Sequence, residues 1–236
     1  MCWSIIVEHF CVLTKACREG RPLDDAWSDF AALSRASSED PPMHLHRIIK
    51  LLTDMEVAWS RSEISILDHG TGTGVNLFYL AALGYTNIWG ANTLPKAQAS
   101  NRIFHEILEI GEDRIFVYDG KRLPLSDQSI QLVISQQVVE HVSDSVIEAY
   151  YADEGRVLSL GGYAVHHVPH RFMPYDSHTK TWLVHCLPKL LQTPIYQFLG
   201  HDTDYLSNFL FLRSPYFHMR CARLYIGDVS DVTSLM

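Results

Sequence analysis

The spacing of apolar positions changes period along the chain. Residues 1–60 read as helical and irregular. In "DDAWSDFAALSRA" the apolar residues fall at helical spacing, and "SSEDPP" (37–42) breaks the pattern. "MHLHRIIKLLTDMEVAW" carries a helical stripe through Leu45, Ile48, Ile49, Leu52 and Met55. From Ile64 onward, strand and helix patterns alternate. "ISILD" is a short apolar strand, and "GVNLFYLAAL" is a helix stopped by Gly84. "NIWGAN" is a second strand, and "LPKAQASNRIFHEILEI" is a helix between Pro95 and Gly111. "RIFVYD" and "IQLVISQ" are strands three and four, "SDSVIEAYYADEGRVLS" is a helix that Ser143 caps, and "GGYAVHHVP" is a fifth strand. Beyond Asp204, the apolar runs "LSNFLFLR" and "MRCARLYI" flank "SPYFH" and read as an antiparallel strand pair at the sheet edge. Strands alternating with helices imply βαβ units and a parallel sheet. The expectation is an α/β domain over 61–236 with a mostly parallel seven-stranded sheet and an antiparallel C-terminal edge. A helical extension over 1–60 precedes it, as a flank or as a cap over a site.

Composition narrows the function classes. The chain has 236 residues, 47% of them hydrophobic, which suffices for one sizeable core. Its formal net charge is -8 with 19 Lys+Arg and no basic run, which argues against a nucleic-acid partner and against an anionic lipid surface. No segment reaches the ~18 unbroken apolar residues of a membrane span. The five cysteines form no CxxC pair, so a reducing compartment fits, and the N-terminal apolar run is interrupted by Glu8 and His9 with no basic segment before it. The expectation is a cytoplasmic protein.

The stretch "LDHGTGTG" (67–74) carries the chemistry. A P-loop needs GxxxxGK[ST], and no lysine follows these glycines. A dinucleotide loop needs GxGxxG, whose third glycine lets helix and strand approach. Counting from Gly70, that position is Val75, which argues against a nicotinamide cofactor. The spacing is GxGxG, with Asp68 two residues ahead. A carboxylate there is poorly placed beside a pyrophosphate and suits a ligand bearing an ammonium or sulfonium.

This stretch resembles motif I of the class I S-adenosylmethionine-dependent methyltransferases, and the resemblance extends over residues 62–170. It implies a Rossmann-like, doubly wound sheet and S-adenosylmethionine as cofactor. The family places an acid at the end of strand two for the ribose hydroxyls. Here that position is Asn92, followed by Thr93, a departure that replaces charge-assisted hydrogen bonds with neutral ones. In "YDGKRLPLSDQSIQLVISQQVVEHV", Asp119 and Gly120 fall on the adenine positions, and Gln136 and Gln137 fall at the end of strand four, beside the methionine end of the cofactor. The implied cofactor set is Asp68, Gly70, Thr71, Gly72, Gly74, Asn92, Thr93, Asp119, Gly120 and Gln136. "LSLGGYAVHHVPHR" is similar to the family's turn before strand five and the strand itself.

The acceptor is less marked. The NPPY-like loop of base-N methyltransferases, the Pro-Cys of cytosine-C5 enzymes and the paired glutamates of protein-arginine enzymes are all missing from "SQQVVEH". With the acidic balance, this points to a small-molecule or glycan-like acceptor, methylated on oxygen by direct SN2 transfer. Glu140 and His141, read as the start of the next helix, are candidate catalytic residues. In the quinone-biosynthesis O-methyltransferases that this stretch resembles, an acid three positions before "EH" helps hold a metal. Here that position is Gln137, so no metal is expected. A histidine-rich stretch follows strand five. His166 and His167 point to opposite faces of that strand, and the spacing is neither HExxH nor a zinc ribbon. "PHRFMPYDSH" lies past the carboxyl end of strand five, where parallel sheets bind ligands. His170, Arg171 and Tyr175 are therefore candidates for acceptor binding, and His178 joins His141 as a candidate base. A homodimer is a further expectation. The alternative is a methyltransferase-like partner subunit that binds cofactor weakly or not at all, which Asn92 and His69 favour.

Overall fold

In a computed structural model, residues 3–95, 97–176 and 178–232 are described. The chain divides into two compact units: Met1–Ser135 with Val157–Val165, and Gln136–Arg156 with His166–Met236.

The first unit begins with three helices, α1 (Trp3–Arg18), α2 (Asp24–Ala36) and α3 (Met43–Met55). Along the chain the expected alternation follows: β1 (Ile66–His69), α4 (Val75–Ala82), β2 (Ile88–Asn92), α5 (Asn101–Glu106), β3 (Ile115–Val117), β4 (Ile130–Gln136), α6 (Ile147–Val157) and β5 (Leu158–His167), with α6 up to Arg156 counted in the second unit. The strands form one five-stranded sheet in the order β3-β2-β1-β4-β5. β1 pairs in parallel with β2 and with β4, and β2 with β3. The strand order reverses between β1 and β4, which makes the carboxyl end of β1 the expected ligand crevice of such a sheet. Asp68 sits at that end, in register with Gly90 on β2 and Ile134 on β4.

The core explains why the N-terminal helices belong to this unit. Ile6, Phe10, Leu13, Phe30, Leu45, Ile48 and Leu52 are fully or almost fully buried in one cluster with Ile66, Phe78, Ile88, Phe104 and Ile134. Phe78 of α4 stacks on Phe104 at 4.5 Å and meets Phe10 of α1 at 5.6 Å. The buried Tyr79 hydroxyl shares a 2.8 Å hydrogen bond with Ser37. Gly90 matters by its missing side chain: a Cβ there would lie 2.8 Å from Leu77 Cδ1. Gly90 on β2 therefore lets Leu77 of α4 and Thr71 of the glycine loop lie close against the strand.

The second unit also contains a short antiparallel pair, β6 (Tyr175–Asp176) with β7 (Thr181–Trp182), and the helices α7 (Lys189–Phe198), α8 (Thr203–Phe209) and α9 (Pro215–Tyr225). Three sequence expectations are corrected. The sheet has five strands among the described residues, not seven. The tail beyond Asp204 is helical, not an antiparallel edge pair, and the cause is local. Ser214 caps α9 by accepting from the Phe217 N–H, and Pro215 occupies its first turn. Phe217, Cys221, Ala222 and Tyr225 then recur at helical spacing and pack against Ile147, Tyr150 and Tyr151. The helix expected across "LPKAQASNRIFHEILEI" is reduced to α5 with a short turn over Gln98–Ser100 before it. Among the described residues, no helix is long and apolar enough to cross a membrane.

Candidate functional site

The first unit gathers the glycine loop, the end of β2 and the turn after β3. Gly70, Gly72 and Gly74 all have positive φ, at 93°, 57° and 91°. This backbone region is costly for other residues, and it turns the chain from β1 into α4 within five residues. The Gly70 and Thr71 N–H groups donate to Ala91 O at 2.8 and 3.0 Å, which ties the loop to β2. Asn92 ties it again: Nδ2 donates to Gly72 O at 3.4 Å, and Oδ1 accepts from the Thr93 N–H at 2.9 Å. The Tyr118 N–H donates to Asn92 O, and a Cβ on Gly120 would lie 3.5 Å from Thr93. Asp119 is exposed, and its carboxylate accepts from the N–H groups of Lys121 and Arg122, which lower its pKa. His69 is buried and hydrogen-bonded to the Tyr118 hydroxyl at 2.5 Å.

Asp68 is the anomaly of this unit. It is 2% exposed, and its Oδ2 is buried with no hydrogen-bond partner, as is Thr71 Oγ1. Burial pushes the Asp68 carboxyl up to about 7, and the nearby Thr71 hydroxyl offsets part of this. A buried carboxylate whose Oδ2 has no hydrogen-bond partner, close to the Thr71 hydroxyl at the mouth of a glycine loop, is a donor-seeking site. The residues present therefore fit a ligand with a cationic ammonium or sulfonium and hydrogen-bond donors.

The second unit holds the acid and histidine candidates. Gln136 ends β4, and Gln137 follows with φ 52° and donates its N–H to His167 O. Glu140 and His141 lie in a single turn, Val139–His141, rather than at the start of α6, which begins at Ile147. Arg213 fixes this turn. Its guanidinium donates to Val139 O at 3.2 Å, to Val142 O at 2.7 Å and to Asp144 Oδ1 at 2.6 Å. Phe211 N–H donates to Glu140 O at 2.7 Å. The Glu140 carboxylate is fully buried and neither oxygen has a hydrogen-bond partner, and burial raises its pKa to about 7. His178 Nε2 lies 3.6 Å from Glu140 Oε1. His141 is exposed, with its ring 5.4 Å from that of His178.

Sequence reasoning missed Asp176, which organises His178. Asp176 Oδ1 accepts from the His178 backbone N–H at 3.1 Å and lies 3.3 Å from His178 Nδ1, and Oδ2 accepts from the Thr179 hydroxyl at 2.7 Å. Burial alone would raise the Asp176 pKa, but the hydrogen bonds from His178 and Thr179 outweigh it and hold the carboxyl well below its ordinary range. The same hydrogen bond raises the His178 pKa. The "DSH" spacing carried the signal, because an Asx turn places an aspartate over the N–H two residues on. The other candidates have different side-chain partners among the described residues, although the Arg171 N–H donates to Arg213 O at 2.9 Å. Arg171 donates to Leu187 O at 3.0 Å, His170 Nδ1 accepts from the Phe172 N–H, and the exposed Tyr175 ring lies 5.3 Å from Trp182.

Residues 67–166 match the family model described as a methyltransferase domain. Over that stretch, with the glycine loop and Asp68, the likeness is to a class I S-adenosylmethionine-dependent methyltransferase domain, whose cofactor is S-adenosylmethionine. Comparison with curated proteins gives no match. Among solved structures, the chain is similar to phosphoethanolamine N-methyltransferase 2 from Haemonchus contortus in complex with S-adenosyl-L-methionine, at 15% identity and TM-score 0.51, covering 74% of this chain and 35% of that one. It is also similar to geranyl diphosphate C-methyltransferase from Streptomyces coelicolor A3(2), at 14% identity and TM-score 0.50, covering 77% of this chain and 62% of that one. This chain therefore spans about a third of the first and under two thirds of the second. At such identities the likeness is one of fold.

Proposed function

We propose that the chain methylates a hydroxyl of a small-molecule or glycan-like acceptor by direct SN2 transfer. The observation that supports a working donor site most is Asp68, a buried carboxylate whose Oδ2 lacks a hydrogen-bond partner, beside three left-handed glycines. Bound S-adenosylmethionine supplies a methyl group already activated by its sulfonium. The protein's task is then alignment and desolvation. In this reading Asp68, Gly70, Thr71, Gly72 and Gly74 hold the methionine end, with Gln136 contributing. Asn92 and Thr93 take the ribose, and Asp119 and Gly120 the adenine. His170, Arg171 and Tyr175 contact the acceptor. His178 removes the acceptor proton, with His141 as the second candidate and Glu140 supporting the charge that develops. His178 is favoured because Asp176 orients it, with Nε2 facing Glu140. A cytoplasmic homodimer, with residues 1–60 as a helical extension of a 61–236 domain, completes the proposal.

One observation favours the non-catalytic alternative. Both ends of the Asn92 amide are already engaged locally, by Gly72 O and the Thr93 N–H, so it offers the ribose less than a carboxylate would. Calorimetry with S-adenosylmethionine, its demethylated product and NAD separates the readings. Binding of the first two without NAD is expected, and no binding at millimolar concentration supports the partner-subunit reading. Given an acceptor, His141→Ala and His178→Ala are each assayed for methyl transfer. Full activity in both removes the base assignment.

A further inference from the structure

We propose that Glu140, His141 and His178 form a binding site for a zinc-type divalent cation. One ligand atom from each residue lies within 4.8 Å of the other two. The Glu140 Oε1 to His178 Nε2 distance of 3.6 Å is already near the ~3.3 Å between neighbouring ligands that tetrahedral bonds of ~2.0–2.1 Å require. Closing the set needs only a modest shift of the exposed His141 ring, which also gives an ion its way in.

Two features set this cluster apart from a chance meeting of polar side chains. The first is the fully buried Glu140 carboxylate, which has no hydrogen-bond partner and points at His178. A buried anion without a donor is a strong demand for a cation. The second is that both imidazoles have their Nδ1 edge committed. His141 Nδ1 donates to Phe209 O at 2.7 Å, and a carbonyl can only accept. His178 Nδ1 faces the Asp176 carboxylate at 3.3 Å. With both Nδ1 atoms engaged, each Nε2 is the nitrogen left to bind an ion, which is the outer-shell arrangement that orients metal-binding histidines. Two imidazoles and one carboxylate select zinc, cobalt or ferrous iron over magnesium or calcium, which prefer all-oxygen sites. The sequence expectation of no metal rested on Gln137, and the third ligand comes instead from His178, remote in sequence. For function the inference rests on the proposed reading: a bound cation takes the same Nε2 lone pairs that would accept the acceptor's proton, so zinc competes with that step.

The test uses the full chain alone, without cofactor or acceptor, so its outcome is independent of whether methyl transfer is ever found. Zinc is titrated by competition with a chromophoric chelator, and cobalt(II) is titrated by visible absorption. One equivalent per chain is expected, with d–d bands of a low-coordinate nitrogen–oxygen site and no competition from millimolar magnesium. Glu140→Gln, which removes a buried charge and is expected to fold, should weaken zinc at least about tenfold, as should the exposed His141→Ala. The surface control His105→Ala should not. Equal zinc affinity in wild type, Glu140→Gln and His141→Ala overturns the proposal, as does no stoichiometric binding at 100-fold excess over protein.

Discussion

Asp68 carries two opposed consequences of a single buried carboxylate. Its pKa, raised from 3.8 to about 7, means that the folded chain holds the proton more tightly than the unfolded chain. The stability contributed by that proton is complete below about pH 4 and is lost as pH rises through about 7, a penalty of up to about 4 kcal/mol at pH 8. Asp68→Asn should therefore raise the urea midpoint of the cofactor-free protein at pH 8 and leave it little changed at pH 4. The same variant should weaken S-adenosylmethionine at least about tenfold, because a charge-assisted contact is lost. In the wild type, cofactor affinity should rise with pH up to about 7, by as much as tenfold per unit, since a cationic ligand needs the ionised form. A pH-independent calorimetric affinity would refute this role. Asn92 supports a complementary expectation. Asn92→Asp should tighten the cofactor by roughly tenfold. Without cofactor it should lower stability slightly, because the lost Nδ2 donor leaves Gly72 O facing a carboxylate.

At the scale of elements, the turn that presents Glu140 and His141 is held from a distant part of the chain. Arg213 is 9% exposed and donates to the Val139 and Val142 carbonyls, while its partner Asp144 is largely exposed. The carboxylate pair is therefore worth little in water, and the buried carbonyl bonds dominate. Arg213→Met should cost about 2–4 kcal/mol in chemical denaturation, and Asp144→Ala less than about 1 kcal/mol. Equal costs for the two would show that the ion pair, not the carbonyl clamp, holds the turn. The helix α9 shows why boundaries at this scale escaped the sequence reading. "MRCARLYI" is apolar enough for a strand, and the deciding groups were the Ser214 cap and the Pro215 start, which lie before the run.

For the first unit as a whole, the question is whether residues 1–60 are an accessory or part of the core. Phe10, Phe30, Phe78 and Phe104 share one cluster across α1, α2, α4 and α5. Phe78→Ala should cost about 3–5 kcal/mol, since a fully buried ring leaves a cavity that its neighbours cannot fill. A chain beginning at residue 61 would expose the α4 face that α1 covers. It should lose cooperative unfolding and bind hydrophobic dyes, and a cooperative transition at the wild-type temperature would show that the helices are dispensable.

The sequence by itself determined the parts of this protein that are local. The βαβ alternation, the GxGxG turn with its leading acid and the family that they resemble all follow from short spacings, because helix period, strand period and glycine φ are set by neighbours along the chain. Glu140, His141 and His178 were each legible as reactive side chains for the same reason. Only the tertiary structure decided that Asp68 is buried with its Oδ2 unpartnered, that Asp176 orients His178, that Gly90 lets Leu77 lie close against β2 and that a glutamate and two histidines share one small volume. Each of these depends on which residues become neighbours once water is excluded, and burial, orphaned charge and imidazole tautomer have no counterpart in spacing along a chain.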